Sequence, residues 1–373
     1  MTCELLINAV QPYAWGSLTA IPALLGRSPD GKPQAELWLG AHPVAPSRLT
    51  DGQPLNDWLS ADPTARLGKR VLKHFGEQLP FLLKVLAAAE PLSLQAHPSL
   101  AQAKEGFARE DTAGLARTAP NRNYRDANHK PEIICALSRF EALCGFRAVS
   151  ETVRILEAFG LDTTTLRTKG LKAYFGEVMS LDSGARQALV GKLTAARPVG
   201  FEKELGLVTK LAAKYPGDIG VLGALLLNHL TLEPGEALYL GAGNLHAYLE
   251  GTGVELMANS DNVLRGGLTP KHVDVPELLS VLEFVEGPAR VLEPTGSPEG
   301  TYETPVPDFR LSRITLEGRY PLTAGLPQIL LCTDGEVQVG ANRLTKGAAL
   351  FVAADTGVML SGRGTIFRAT PGL

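Results

Sequence analysis

Hydrophobic and polar positions divide the chain into a β-rich part, a helical part and a second β-rich part. Up to about Leu100, apolar segments such as 35–40 and 80–86 are separated by frequent turns that contain glycine and proline. Short apolar runs between such turns are typical of antiparallel strands. From Val149 to about Leu230 the apolar residues recur at helical spacing instead. The pattern therefore predicts a mainly β protein with an inserted helical domain.

The helical part begins with a recognisable start signal. Ser150 is a predicted N-cap, and Val153, Leu156 and Phe159 follow it at the spacing of one helix face. Turns with proline and glycine separate the later helices. These later helices are predicted for residues 185–193, 201–215 and 218–229.

Three domains follow from this pattern. Residues 1–148 and 231–290 are predicted to form one β-rich domain, and residues 149–230 form the helical domain inserted in it. From 291 to 373, strands alternate with glycine turns in the manner of a small barrel or jelly roll. This last part contains no histidine, so we expect it to take no part in metal chemistry.

Composition and charge exclude several classes of protein. A chain of 373 residues can bury a core without disulfides. The formal net charge is −3 and no basic block is present, so nucleic acid is not an expected partner. No apolar stretch approaches the roughly 20 residues that cross a bilayer, and the N-terminus lacks a secretory signal, so we expect a cytoplasmic protein. Four cysteines without paired or metal-binding spacing fit buried thiols in a reducing compartment: Cys3, Cys135, Cys144 and Cys332.

The strongest chemical signal is a Gln and a His two positions apart. Gln95 and His97 project from the same face of an extended strand, which makes a two-ligand corner for a metal. Two further segments can complete the site, because they offer the carboxylate of Glu132 and the imidazole of His246. Imidazole and carboxylate are common zinc ligands, and a neutral amide oxygen leaves the metal a good Lewis acid. Any one of these residues alone is as often an ordinary satisfied polar group.

Several longer motifs occur together and in one order. They are residues 11–16 (QPYAWG), 36–43 (ELWLGAHP), 129–132 (HKPE), 234–246, which has the form of the second cupin motif, and 259–271 (NSDNVLRGGLTPK). With these motifs the chain closely resembles the type I phosphomannose isomerases of the cupin superfamily, from about residue 8 to about 285. The resemblance implies two cupin-like jelly-roll barrels, of which only the first binds metal.

The resemblance also implies a reaction. Members interconvert mannose 6-phosphate and fructose 6-phosphate through an enediol intermediate, with one zinc ion per chain. Its ligands here would be Gln95, His97, Glu132 and His246. Arg265 would help the zinc to stabilise the enediolate charge.

The proton-transferring base stays open between three residues. Lys130 ranks first, because it lies two positions from Glu132 and can lose its proton near a dication. Asp261 and Glu255 are the carboxylate alternatives. His129 could help to open the sugar ring.

Other residues are predicted to hold the rest of the substrate. Lys84, Ser93 and Lys271 are candidates for the phosphate group, and Trp15 and Tyr248 are candidates for the pocket wall. The expected partner is therefore a small sugar phosphate, and a monomer is plausible for a chain of this size.

Two other functions remain alternatives. An iron-dependent cupin oxygenase would use a His-rich triad with open positions, whereas this chain offers a glutamine and nearby lysines. A non-catalytic cupin sensor of sugar phosphates would keep the pocket and serve a regulator. No helix-turn-helix pattern with basic flanks is visible, and the presence of Lys130 and Arg265 beside a full ligand set favours catalysis.

Overall fold

A computed structural model describes residues 3–373, which form a mixed architecture of helices and antiparallel sheets. The helices are α1 (Ala20–Leu24), α2 (Leu55–Ala61), α3 (Pro63–Phe75), α4 (Leu100–Thr112), α5 (Val149–Ala158), α6 (Thr164–Met179), α7 (Ser183–Ala195), α8 (Glu202–Lys214), α9 (Gly220–Leu225) and α10 (Val275–Val281). The strands are β1 (Cys3–Leu6), β2 (Ala9–Gln11), β3 (Glu36–Leu39), β4 (Phe81–Ala88), β5 (Gln95–Ala96), β6 (Glu132–Ala136), β7 (Phe140–Phe146), β8 (Leu227–Leu232), β9 (Ala237–Leu240), β10 (His246–Ala258), β11 (Leu264–Arg265), β12 (Val291–Leu292), β13 (Glu299–Tyr302), β14 (Arg310–Leu322), β15 (Gln328–Val339), β16 (Asn342–Thr345), β17 (Ala349–Val352) and β18 (Val358–Thr370).

Two sheets contain these strands. The larger sheet has eleven strands, with the main order β12-β9-β6-β10-β4-β3-β2, and β5, β7, β8 and β11 attached around β10. The smaller sheet has seven strands in the order β1-β17-β15-β18-β14-β13, with β16 beside β15. The strand orders of the described residues form no closed ring. The expected combination of antiparallel sheet and helix is confirmed, whereas the jelly-roll barrels stay a prediction.

Strand β10 organises the larger sheet. Its first residues pair with β5 and β7, and its later residues pair with β4 and β6. The change of partners falls at a register shift between Tyr248 and Glu250, next to Gly251. Gly251 has φ 127°, and a Cβ there would lie 2.7 Å from the carbonyl oxygen of Arg139, so a larger residue does not fit.

The core of the protein lies between the two sheets and among the helices. Leu83 and Val85 of the larger sheet pack in one cluster with Leu331 and Phe351 of the smaller sheet, and all four are buried. Each such side chain contributes about 1.5–3 kcal/mol through burial. A second cluster joins the helices α5 to α9 to Leu94, which lies beside β5. The two clusters thus pack the larger sheet against the smaller sheet and against the helices.

The helical part begins and ends differently from the sequence prediction. The N-cap position of α5 is Ala148, so Ser150 lies in the first turn and the predicted cap is wrong. Helix α9, the last of the helical part, ends at Leu225, and residues 227–232 form strand β8, which pairs with β7. The predicted helix over residues 218–229 therefore extends too far at its C-terminal end. A short apolar run fits a buried helix and a buried strand equally well, which explains this error.

Four helices in the first β-rich part of the chain, α1 to α4, were not predicted from the sequence. Helices α1 and α2 are short, at 5 and 7 residues, and α3 is interrupted at Gly68, whereas α4 is a continuous helix of 13 residues. Helix α4 did carry a start signal, since Ser99 and Gln102 form a capping box.

The proposed domain boundaries stay a prediction, and two strands cross them. Strand β1 belongs to the smaller sheet through its pairing with β17, although it lies at the start of the chain. Strand β12 pairs with β9 of the larger sheet. Within residues 3–373, the longest helices are too short or too polar to cross a membrane.

Candidate active site

Three neighbouring strands carry the predicted metal ligands. Gln95 in β5 lies opposite His246, the first residue of β10. Glu132 begins β6 and pairs with Met257 near the end of β10. His97 follows β5 directly. Strand β10 therefore pairs at its start with β5 and near its end with β6, and so links ligand segments that lie up to 151 positions apart in the chain.

The two imidazoles and the carboxylate form a compact group. The ligand atoms of His97, Glu132 and His246 all lie within 4.8 Å of one another, and all three residues are buried. Glu132 Oε2 lies 3.4 Å from His97 Nε2 and 3.5 Å from His246 Nε2. The opposite ring nitrogens contact main-chain carbonyls: His97 Nδ1 lies 2.8 Å from the oxygen of Asn262, and His246 Nδ1 lies 3.0 Å from that of Asn244.

These contacts fix which nitrogen carries the proton. A carbonyl oxygen can only accept, so each Nδ1 donates its proton to it. Burial lowers the pKa of His97 to about 4, so its ring is neutral near pH 7 and Nε2 keeps a free electron pair. This Nε2 is buried and has no hydrogen-bond partner among residues 3–373. An unpartnered nitrogen of this kind is what a metal ion would satisfy.

The carboxylate of the group is held ionised. Burial would raise the pKa of Glu132, but the neighbouring charges, that of Lys130 first, outweigh it and hold that pKa well below its usual range. Two imidazole nitrogens and a carboxylate oxygen thus point their electron pairs at one another. The residues present therefore fit zinc, and Gln95, which lines the same cavity as Glu132 and His246, is the predicted fourth ligand.

A second charged group lies beside the metal ligands. Lys84 Nζ lies 3.1 Å from Glu255 Oε2 and 3.6 Å from Glu36 Oε2. Burial would lower the pKa of Lys84, but these two carboxylates outweigh it and raise that pKa, so the ammonium stays charged. The indole of Trp38 donates a further hydrogen bond to Glu36 at 2.5 Å. Burial, and then the charges of Glu132 and Glu36, raise the pKa of Glu255.

With the exception of His97, the predicted ligands line one small cavity of about 50 Å³ together with this group. A space of this size holds an ion and a few waters, so a whole sugar phosphate must extend outside it. Lys130 also lines the cavity and lies 3.0 Å from Glu132 Oε1. Three carboxylates and two ammonium groups give the cavity a formal charge of −1, which a dication would turn to +1. The charged and polar lining residues are Glu36, Lys84, Gln95, Lys130, Glu132, His246, Tyr248 and Glu255.

One of the two predicted aromatic residues lies at this cavity. Tyr248 lines it, and Trp15 packs against the same hydrophobic cluster. Burial and the charges of Glu255 and Glu132 raise the pKa of Tyr248 well above its usual value, so its hydroxyl keeps its proton.

Cationic side chains gather on another side of the ligands. Arg265 in β11 lies opposite Gln95. The pKa of Lys271 is lowered by burial and then by repulsion from Arg265 and Arg125. Burial and then Arg125 lower the pKa of Arg265 in the same direction. These three cations lie close enough to repel one another, which is the environment that an anion would relieve.

Three further predicted residues do not line this cavity. Asp261 contacts His42 at 3.5 Å, a contact that lowers the pKa of its carboxyl, and it lines a separate groove. His129 Nε2 lies 3.0 Å from Asp308 Oδ2 of the C-terminal part. Ser93 lies in an extended segment just before β5.

Sequence reasoning missed the residues that support the ligands. Asn262 accepts from His97 through its carbonyl, and its buried side chain binds three residues of the 125–128 loop. Glu36 and Arg125 were also missed as charged members of the site. Glu36 lies within the motif of residues 36–43. It lies two positions before Trp38, on the same face of a strand, and this spacing could have indicated that the two side chains meet. The sequence around Arg125 shows no spacing or motif that would indicate a role in the site.

The fold and the site together define a metal-dependent protein of zinc-binding type, built on large antiparallel sheets. A family model described as the catalytic domain of type I phosphomannose isomerase matches residues 4–149. The mannose-6-phosphate isomerase of Escherichia coli K12 is 38% identical over 97% of this chain and 98% of its own, and that of Homo sapiens is 35% identical over 94% and 93%. The chain belongs to the type I phosphomannose isomerase family.

Solved structures agree with this assignment. A single-substitution variant of phosphomannose isomerase from Salmonella typhimurium is 37% identical to the chain, with a TM-score of 0.93. A mannose 6-phosphate isomerase solved with zinc bound has the same identity and a TM-score of 0.90. Both comparisons cover 100% of each chain. The likeness thus extends from the zinc-site part through the C-terminal sheet.

Proposed function

We propose that this protein is a zinc-dependent isomerase that interconverts mannose 6-phosphate and fructose 6-phosphate. The observation that carries the proposal is the group of His97, Glu132 and His246, whose electron pairs converge within 4.8 Å in a member of this family. The alternative of an oxygenase is disfavoured by the amide ligand and the two lysines in the cavity. The alternative of a sensor leaves unexplained why ionisable groups line the cavity so densely.

The reaction moves one hydrogen between C1 and C2 of the open-chain sugar, by way of an enediol. Bound zinc supplies a Lewis acid that stabilises negative charge on the sugar oxygens during this step. Lys130 lines the cavity and can carry the proton between the two carbons. Glu255 is the alternative base, because burial raises the pKa of its carboxyl, which makes the carboxylate a stronger proton acceptor, and it lines the same cavity. Asp261 ranks third as a candidate base, because it lines a separate groove.

The phosphate is proposed to bind at the cationic side of the site. Lys271 contributes an ammonium there, and Arg265, between the phosphate and the sugar oxygens, can stabilise the enediolate. Ser93 would add a hydroxyl. Lys84 remains a candidate, but with 6% of its surface exposed and two carboxylates around it, it is better suited to orient Glu255.

Three further expectations accompany this function. The partner is a small sugar phosphate, and His129, held by Asp308, would act on ring opening only if that contact breaks. The larger sheet would correspond to the metal-binding cupin barrel, and the smaller one to the second barrel. A monomeric state and a cytoplasmic location stay predictions.

A coupled assay of mannose 6-phosphate isomerisation tests the function directly. The protein is measured as purified, after removal of metal by a chelator, and after zinc or ferrous iron is returned. We expect activity to vanish on chelation and to return with zinc. A folded, zinc-loaded protein without activity would favour the sensor, and oxygen uptake restored by iron alone would favour the oxygenase.

Substitution separates the candidate bases. K130M and E255Q are each compared with D261N, and zinc content is measured for every variant. Loss of a positioned base lowers kcat by about a hundred- to ten-thousandfold. We expect this loss for K130M at unchanged zinc content, a smaller one for E255Q and less than about a tenfold change for D261N. A D261N variant that loses most of its kcat would transfer the role to Asp261.

A further inference from the structure

The segment that carries Arg265 and Lys271 is bound to the inserted helical part through one carboxylate. Asp218 lies just before α9. Its Oδ1 accepts from the main-chain N–H of Gly220 at 2.7 Å and of Leu268 at 2.9 Å. Its Oδ2 accepts from the N–H of Thr269 at 2.9 Å. One side chain thus joins the start of α9 to the middle of segment 265–271.

The same segment is bound on its other side to the metal-ligand strand. The N–H of Gly266 donates to the carbonyl of Leu94 at 2.8 Å, and the N–H of Leu94 donates to the carbonyl of Gly267 at 3.0 Å. Leu94 directly precedes Gln95. The segment is therefore clamped between β5, which leads into the predicted zinc ligands, and Asp218.

The backbone at the clamp is strained. Leu268 has φ 55°, one of two non-glycine residues with positive φ among residues 3–373. A leucine rarely adopts this left-handed conformation, and its buried side chain leaves it no freedom to move away. Without Asp218, the N–H groups of Leu268 and Thr269 would have no acceptor among the described residues. The carboxylate thus holds a conformation that the local sequence does not favour.

The two main chains also approach each other very closely. A Cβ on Gly267 would lie 2.7 Å from the Cα of Gly220, and a Cβ on Gly220 would lie 2.6 Å from the nitrogen of Leu268. Only glycine fits at either position without moving the segment. The contact is therefore specific in shape as well as in hydrogen bonding.

We propose that Asp218 is a positioning residue for the isomerase reaction, which sets the place of Lys271 and Arg265 relative to the zinc ligands. The proposal rests on the proposed function, in which those two cations bind the phosphate and the enediolate. It gives the inserted helical part a role in catalysis. Asp218 touches no substrate and acts only through segment 265–271.

The test compares D218N with D182N. An amide keeps the size of Asp218, but its NH2 group faces at least one main-chain N–H and cannot accept from it. Asp182 caps α7 in the same helical part through the N–H of Ala185 at 2.8 Å and has no hydrogen bond to segment 265–271. For each variant we would measure zinc content, thermal unfolding, KM and kcat for mannose 6-phosphate, and competitive inhibition by inorganic phosphate.

We expect D218N to weaken phosphate inhibition and to lower kcat/KM by about ten- to a hundredfold, because hydrogen bonds to a charged group are lost. Zinc content should stay at one per chain, and D182N should match the unchanged protein in its kinetics. A D218N protein that unfolds at a lower temperature with unchanged kinetics, or that loses zinc, would overturn the proposal.

A second variant covers the case in which D218N does not fold. G220A pushes against the nitrogen of Leu268 while the carboxylate is retained, and it should weaken phosphate inhibition in the same way. Unchanged kinetics in G220A would also overturn the proposal. Failure of the proposed function would be seen separately, as absence of isomerisation by the unchanged protein.

Discussion

Replacement of Asn262 by alanine tests how the zinc site is supported. The side chain of Asn262 is fully buried and makes four hydrogen bonds to main-chain groups of one loop. It accepts from the N–H of Arg125 at 2.7 Å and of Asp126 at 3.2 Å, and it donates to the carbonyls of Asp126 and Asn128 at 2.8 Å each. Its own main-chain carbonyl holds His97 Nδ1. The substitution leaves that carbonyl in the chain but removes what fixes its position.

The expected magnitudes follow from these contacts. Four hydrogen bonds at about 1 kcal/mol each predict that N262A lowers the free energy of unfolding by about 4 kcal/mol. Loss of a contact that orients a metal-binding histidine typically weakens metal affinity by about ten- to a hundredfold. We therefore expect N262A to bind zinc more weakly by this factor, with kcat restored when zinc is in excess.

The assay is competition for zinc against a chromophoric chelator, beside unfolding in urea. N259A is the matched control, because Asn259 lies in the same segment and donates to the carbonyl of Leu79 at 2.5 Å without contacting a predicted ligand. It should lose about 1 kcal/mol and keep its zinc affinity. The reasoning is refuted if N262A is destabilised as expected but binds zinc as tightly as N259A, since His97 would then need no support from this loop.

Two further predictions concern the buried charges. In zinc-free protein, burial lowers the pKa of His97 from 6.5 to about 4. Between these pH values the unfolded chain binds a proton that the folded protein does not. The free energy of unfolding is therefore full above about pH 6.5 and falls by about 3 kcal/mol on acidification to pH 4. Urea unfolding of chelated protein at pH 7 and pH 5 captures about 2 kcal/mol of this loss, and H97Q should lose less between the two pH values. K84M would leave Glu36 and Glu255 buried without their cation, so we expect the free energy of unfolding to fall by about 3–5 kcal/mol. The double variant K84M/E255Q should recover part of this loss. A K84M protein of unchanged stability would show that the lysine does not neutralise this pair.

The sequence could locate the candidate metal ligands because each lies in a short, chemically distinctive motif. Gln95 and His97 are two positions apart in an extended segment, and alternation of side chains along a strand is a local property. The meeting of His97, Glu132 and His246 within 4.8 Å depends in addition on the course of β10, because Glu132 pairs with Met257, eleven positions after His246. Their roles as ligands stay a prediction that zinc measurements on variants will test.

Contacts that depend on main-chain atoms could not be foreseen in the same way. The carbonyl of Asn262 is chemically like any other carbonyl, and only the fold shows that it meets His97 across 165 positions. Asp218 is likewise an ordinary turn residue until its carboxylate is seen to accept from segment 265–271. Sequence patterns report side-chain chemistry and local periodicity, so they find ligands more readily than the residues that orient them.

The geometry of β10 explains one feature of the site that simple alternation contradicts. His246 and Glu255 are nine positions apart, so on an unbroken strand their side chains would point to opposite faces of the sheet. Both nevertheless line the same cavity. The register shift between Tyr248 and Glu250 adds one residue to the strand and reverses the alternation beyond it. This irregularity therefore brings the candidate ligand His246 and the candidate base Glu255 to one face, where the regular pattern would have separated them.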